Sequence, residues 1–248
     1  MSWIPPPPLP PTAAELLTLL QEVDAERALR DAQPGLAERV QSLKRYQQRR
    51  FAKTYADLLT VPRYQQATRF FLQELYGPGD YTRRDAQFAR VVPALVRIFP
   101  AEVVTTVGRL ARLHAISERL DTLMAQALGE ASIDAAHYIA AWQACGAPDL
   151  RQRQIDLTIA VGDSLEQLTK KPLLRQALRL MRGPATAAGM SELQTFLETG
   201  FDTFRAMRGA AEFLQTVRSR EESLAKAIFV ADLSPVCLAR DDVLGQLP

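Results

Sequence analysis

Three ionisable residues share one side of a single predicted helix. Between Ala101 and Leu128 an apolar stripe of Val103, Val107, Leu110 and Leu128 contains His114 and Asp121, with Glu118 at its edge. Buried polar groups need partners, so these side chains either satisfy one another inside a bundle or form half of a metal or acid/base site, as inward carboxylates and Glu-x-x-His pairs do in di-metal helical bundles. Glu221 interrupts a second stripe made of Phe213, Leu214, Val217, Leu224 and Ile228. It is a further inward carboxylate, for which an ion pair with an arginine of a neighbouring helix is the simpler account. The other histidine, His137, follows Asp134 at a ligand-like spacing but lies opposite Tyr138, Ile139 and Trp142 and is expected to face water. No metal and no cofactor are expected.

Two further groups carry charge. Tyr76, Asp80, Arg84 and Asp85 surround a Gly-Pro-Gly stop; Arg84 could hold an anionic group, although turn and cap chemistry in a rigid corner uses the same residues. Between Arg39 and Ala56 there are six basic residues and no acidic one. Helical spacing sets Arg45, Arg49 and Lys53, with Arg39 and Arg50, opposite an apolar stripe of Leu36, Val40, Leu43 and Phe51. Such a face could meet phosphates, anionic lipid or an acidic protein, and a solvated face paired with acidic side chains of neighbouring helices is the plainer account. Only Tyr46 and Tyr55 interleave it, which argues against nucleic acid.

The elements that must position these groups are all helical. Turn signals arrive at helical intervals and period-2 alternation is missing, so the fold class is all-α, a bundle of about eight to ten helices. Thr12 and Glu15 form a capping box ahead of Leu16, Leu17, Leu20 and Val23, and Pro34 is placed to open the next helix. Gly77 is expected in the left-handed position that ends a helix, Pro78 forbids continuation, and Thr82 with Asp85 forms a second capping box. Pro93 should kink or split the helix that follows, which Pro100 ends. After Pro148 the inward face is read as Leu150, Leu157, Val161, Leu165 and Leu168. A short helix from Pro172 is expected to stop at Arg182-Gly183-Pro184. Gly200 falls on a seam with Leu193, Leu197, Phe204 and Met207, where a neighbouring backbone should pass close.

Composition sets the outer limits. At 248 residues and 47% hydrophobic the chain can bury a large core, and a net charge of +2 gives no global pull toward nucleic acid or membrane. Residues 1–11 read as a Pro-rich polyproline II arm, 12–229 as one helical domain and 230–248 as a loosely attached tail. The start lacks the basic and apolar regions of a signal peptide, no apolar run is long enough for a membrane span, and two cysteines are too few for a disulfide framework. A reducing cytoplasm is the expected compartment. Nucleotide, zinc-hydrolase and serine-hydrolase motifs are missing.

Two blocks carry a family resemblance. Phe70-Phe71-Leu72 through Leu75-Tyr76-Gly77-Pro78, Asp80, then Arg84-Asp85, together with Phe213-Leu214 and Arg220-Glu221 later in the chain, resemble an uncharacterised bacterial family of all-helical proteins. The resemblance spans about Arg63 to Phe229, implies no activity or substrate, and fits the position of Asp121 better than that of His114. The leading expectation is a helical protein that works by binding a protein partner or a second copy of itself. The alternative is a bundle enzyme or ligand-binding protein whose inward site combines His114, Glu118 and Asp121 with Glu221.

Overall fold

The computed structural model describes residues 9–75, 77–233 and 243–248; Tyr76 and Cys237 lie outside them. Among these residues there are eleven α-helices and no strand. The first half comprises α1 (Ala13–Ala32), α2 (Leu36–Thr54), α3 (Ala56–Thr60), α4 (Pro62–Phe70), α5 (Thr82–Ile98) and α6 (Ala101–Leu128). The second half adds α7 (Ala135–Cys145), α8 (Pro148–Thr169), α9 (Pro172–Ala187), α10 (Ser191–Ala206) and α11 (Ala211–Val230).

Local chemistry explains most boundaries. Thr12 and Glu15 form the reciprocal capping box of α1, and Asp134 caps α7 by accepting from the backbone N–H of His137 at 2.9 Å. Pro34 falls in the turn before α2, whose start is set by Gly35 at φ 72°. Helix α5 runs on through Pro93 as one element, and α9 continues through Gly183 and Pro184 to Ala187.

The corner between α4 and α5 is built differently from the sequence expectation. Helix α4 widens into a π-turn, Phe71–Leu75, which leaves several C-terminal carbonyls without helical partners. Side chains satisfy three of them: Gln48 donates to the Leu72 carbonyl at 3.0 Å, Tyr81 to that of Gln73 at 2.8 Å, and Arg84 to that of Glu74 at 3.3 Å. Gly77 is not left-handed. It is required because a Cβ there would stand 2.2 Å from the Gln73 carbonyl oxygen, a backbone atom. Gly77→Ala should therefore cost about 2–3 kcal/mol, in the range of overpacked positions, read as a lower urea midpoint at unchanged slope. The second capping box does not form: Asp80 accepts from the backbone N–H of Thr82 at 2.9 Å, and Asp85 is turned inward.

Helix α6 is the axis of the bundle, packing against α1, α2, α5, α7 and α8. Its buried small residues, Gly108, Ala111, Ala115 and Ala125, allow those close approaches. Three apolar clusters surround it. One joins α2, α6, α7 and α11 and includes Leu244 and Leu247 from the chain's end. A second joins α2, α4, α8, α10 and α11 through Phe51, Phe71, Phe204 and Phe213, and a third joins α1, α5 and α6. At Gly200 the close neighbour is the Phe70 ring rather than a backbone. The buried face of α8 keeps Val161 and Leu168 of the expected stripe, and Arg151, Ile155, Thr158, Ile159 and Gly162 rather than Leu150, Leu157 and Leu165 complete it.

Candidate functional site

The three apolar clusters do not merge. Where they would meet lies a cavity of about 160 Å³, bordered by Tyr138 and Trp142 of the first, Phe51, Phe71 and Phe213 of the second, and Leu20 and Ala111 of the third. Its polar wall includes His114, Glu118, Asp121, Glu221, Arg84 and Asp85. Groups from the 101–128 helix, the Gly-Pro-Gly corner and the 211–230 helix, read from the sequence as separate candidates, thus border one space.

Three ionic networks build that wall. In the first, Glu118 of α6 takes Arg30 Nη1 at 2.5 Å and Lys44 Nζ at 2.6 Å, while Arg30 also donates to the Glu118 carbonyl and to the Thr122 hydroxyl. Burial alone would raise the Glu118 carboxyl, but Lys44, Arg30 and His114 outweigh it and hold it down at about 2. Asp121, one turn on, sits 3.9 Å from Lys44 and accepts from Gln47 at 3.1 Å. Burial dominates there and pushes its carboxyl up.

The second network links the corner to α6. His114 Nε2 lies 2.8 Å from Asp85 Oδ2, which also takes Arg27 at 2.5 Å. Burial works against the Asp85 charge, yet the bonds from His114 and Arg27 carry its carboxyl below the ordinary range. Arg84 packs between the rings of Tyr81 at 4.1 Å and Phe196 at 4.4 Å, close enough for cation–π attraction. In the third network, Arg50 of α2 pairs with Glu221 at 2.6 Å, and the Tyr55 hydroxyl donates to the same oxygen at 2.7 Å.

The remaining candidates stand apart. Arg45, Arg49 and Lys53 are exposed along α2. Lys53 donates to the Leu247 carbonyl and Arg49 lies over the Tyr46 ring. Arg50, grouped with them by sequence, is 4% exposed and belongs to the interior. Asp80 borders an outer cleft between α1, α2 and the corner. Lys44, Tyr81 and Glu118 line both cleft and cavity. Tyr76 lies outside the described residues. His137 is exposed and held by Asp134. Sequence reading missed Lys44 and Arg151 as wall residues and Arg30 as the partner of Glu118; the signal for the two arginines was their place on an inward stripe, Arg30 after Leu16, Leu20 and Val23, and Arg151 before Ile155 and Ile159.

Fold and site together define an all-α protein with an ion-paired, partly aromatic interior cavity. The chain belongs to the family described as "Domain of unknown function (DUF8198)", whose model matches residues 26–235. No curated protein and no solved structure matches the chain. No described helix is long and apolar enough to cross a membrane.

Proposed function

We propose that this protein, in a bacterial cytoplasm, binds a small molecule in its central cavity. The observation that carries this reading is convergence: Asp85, His114, Glu118, Asp121 and Glu221 come from three helices and border one space. Buried ionisable groups gathered around a cavity are the usual mark of a ligand site. An engineered cavity of about 150 Å³ accepts a benzene ring, so the ligand is a ring or a short chain.

A second reading, a protein partner or a second copy docked on α2, is favoured by one observation. Arg45, Arg49 and Lys53 are exposed, and their contacts among the described residues are a serine hydroxyl, a ring and a backbone carbonyl rather than carboxylates. That leaves the face uncompensated and complementary to an acidic surface.

One experiment separates the two. Small aromatic and aliphatic compounds should raise the melting temperature of the full chain by several degrees at saturation, since about 100 times Kd adds roughly 2.7 kcal/mol. Ser117→Leu, which places an apolar side chain at the cavity wall, should abolish that rise, and the triple Arg45→Glu, Arg49→Glu, Lys53→Glu variant should keep it. A rise unaffected by Ser117→Leu would remove the cavity reading.

A further inference from the structure

Three residues that border the cavity carry a buried N–H with no hydrogen-bond partner among the described residues: Arg151 Nη2, Arg50 Nε and Trp142 Nε1. Guanidinium and indole can only donate, so nothing on those side chains can satisfy the others. The remaining buried orphan groups, on Glu26, Arg39, Thr54 and Gln87, are not part of this wall.

Arg151 is the key group. It is 5% exposed, stacks on Trp142 at 3.9 Å and spends one nitrogen on the Gln154 side-chain oxygen at 3.2 Å. A buried cation without a hydrogen-bonded anion is strongly disfavoured. Arg50, by contrast, has Glu221 on Nη1 and only Nε to offer. Both arginines border the cavity together with Tyr138 and Trp142, whose rings lie 5.8 Å apart.

An acceptor-only group with several lone pairs answers this arrangement. A carboxylate has about four such sites and receives planar guanidinium donors well, whereas an apolar ligand of the same shape leaves these donors without an acceptor. Phe51, Phe71 and Phe213, which also border the cavity, call for an apolar body. We infer that the cavity takes a small organic monocarboxylate with an apolar ring or short chain, its carboxylate held by Arg151 and Arg50 with Trp142 as the third donor. This rests on the cavity being a ligand site, and it adds the ligand's chemical class.

Calorimetric titration of the full chain with benzoate, hexanoate, dodecanoate, inorganic phosphate, benzamide and toluene tests it. Benzoate or hexanoate should bind at least about tenfold more tightly than benzamide, a gap of one hydrogen-bonded charge. Phosphate should bind more weakly than either acid, and dodecanoate no better than hexanoate, which separates a small free acid from a lipid. Arg151→Met should remove the preference for benzoate over benzamide while toluene binding stays unchanged. Arg151→Lys, which keeps the charge and loses the planar fork, should lower benzoate affinity by a smaller factor and supplies the readout if the methionine variant folds poorly. Benzamide and toluene binding as tightly as benzoate would overturn the carboxylate assignment and leave the cavity reading standing. If no probe binds at about 10 mM, weaker than any useful affinity, both fall.

Discussion

Glu118→Ala should lose about 3–5 kcal/mol of stability, the range for removing one partner of a buried ion pair, which is a large part of the 5–15 kcal/mol that holds a typical domain folded. Arg30 is 6% exposed and Lys44 is nearly as covered, and both place a nitrogen within 2.6 Å of this carboxylate. Alanine leaves two buried cations facing each other. Glu118→Gln keeps an acceptor and the shape, so its loss should be smaller. The double variant Arg30→Met, Glu118→Leu should recover much of the loss, because an apolar pair of similar volume needs no compensation.

The same carboxylate sets the acid limit. Its folded pKa is about 2 against an ordinary 4.5; a depressed value contributes stability that is fully present above about 4.5 and is lost as pH falls toward 2. The contribution is at most about 3 kcal/mol at one pKa unit per 1.4 kcal/mol. Asp121 runs the other way. With its carboxyl pushed up, it favours the folded state at low pH and loses that advantage as it ionises. Burial pushes both carboxyls up; at Glu118 it is outweighed by Lys44 at 2.6 Å, Arg30 and His114, whereas Asp121 has Lys44 only at 3.9 Å and the Glu118 charge beside it. Urea midpoints taken from pH 6 to pH 2.5 should fall steeply for the native chain and less steeply for Glu118→Gln. Equal slopes would remove Glu118 as the cause.

Much of this was legible residue by residue. Helix α6 has the bounds that Pro100 and Gly129 imply, and its inward polar residues are inward because Glu118 and Asp121 fall among Ala111, Leu120 and Met124. Glu221 meets the arginine of a neighbouring helix that a buried carboxylate demands. Periodicity could not say which arginine, since it fixes faces and not neighbours. Arg50 was misplaced for a related reason. It stands two turns beyond Leu43, on the side of the core, but its charge and the adjacent Arg49 pull it into the solvent face of any hydropathy count. The corner at Gly77 failed differently. Capping rules assume that a helix ends on backbone donors, whereas here Gln48, Tyr81 and Arg84 supply the donors, and two of those residues follow the stop in sequence. Local signals cannot register a side chain that returns from the next helix.

The two sequence blocks meet at the cavity. The first supplies Phe71, Arg84 and Asp85, and the second supplies Phe213 and Glu221. Their outer members serve the frame: Arg220 makes a two-pronged contact with Asp57 at 2.7 Å and also donates to the Thr54 carbonyl, tying α11 to the α2–α3 break. Packing and site are therefore drawn from the same short stretches.

Glu221→Ala should produce the second large loss, about 3 kcal/mol, at the lower end for a buried pair because the glutamate side chain keeps 15% of its surface exposed. It strips Arg50 of its anion and the Tyr55 hydroxyl of its Glu221 acceptor. Arg50→Met should cost less, about 1–2 kcal/mol, since the carboxylate left behind retains the Tyr55 hydrogen bond and some water. This asymmetry follows from exposure, and urea unfolding of the two variants measures it directly. The alanine variant also opens room for a small carboxylate beside Arg50. Acetate or formate should then stabilise Glu221→Ala more than it stabilises the native chain, by linkage to binding in the folded state alone. Equal stabilisation of both proteins would mean that the added anion does not reach Arg50, and that Glu221 secures the α2–α11 contact without standing beside an accessible anion site.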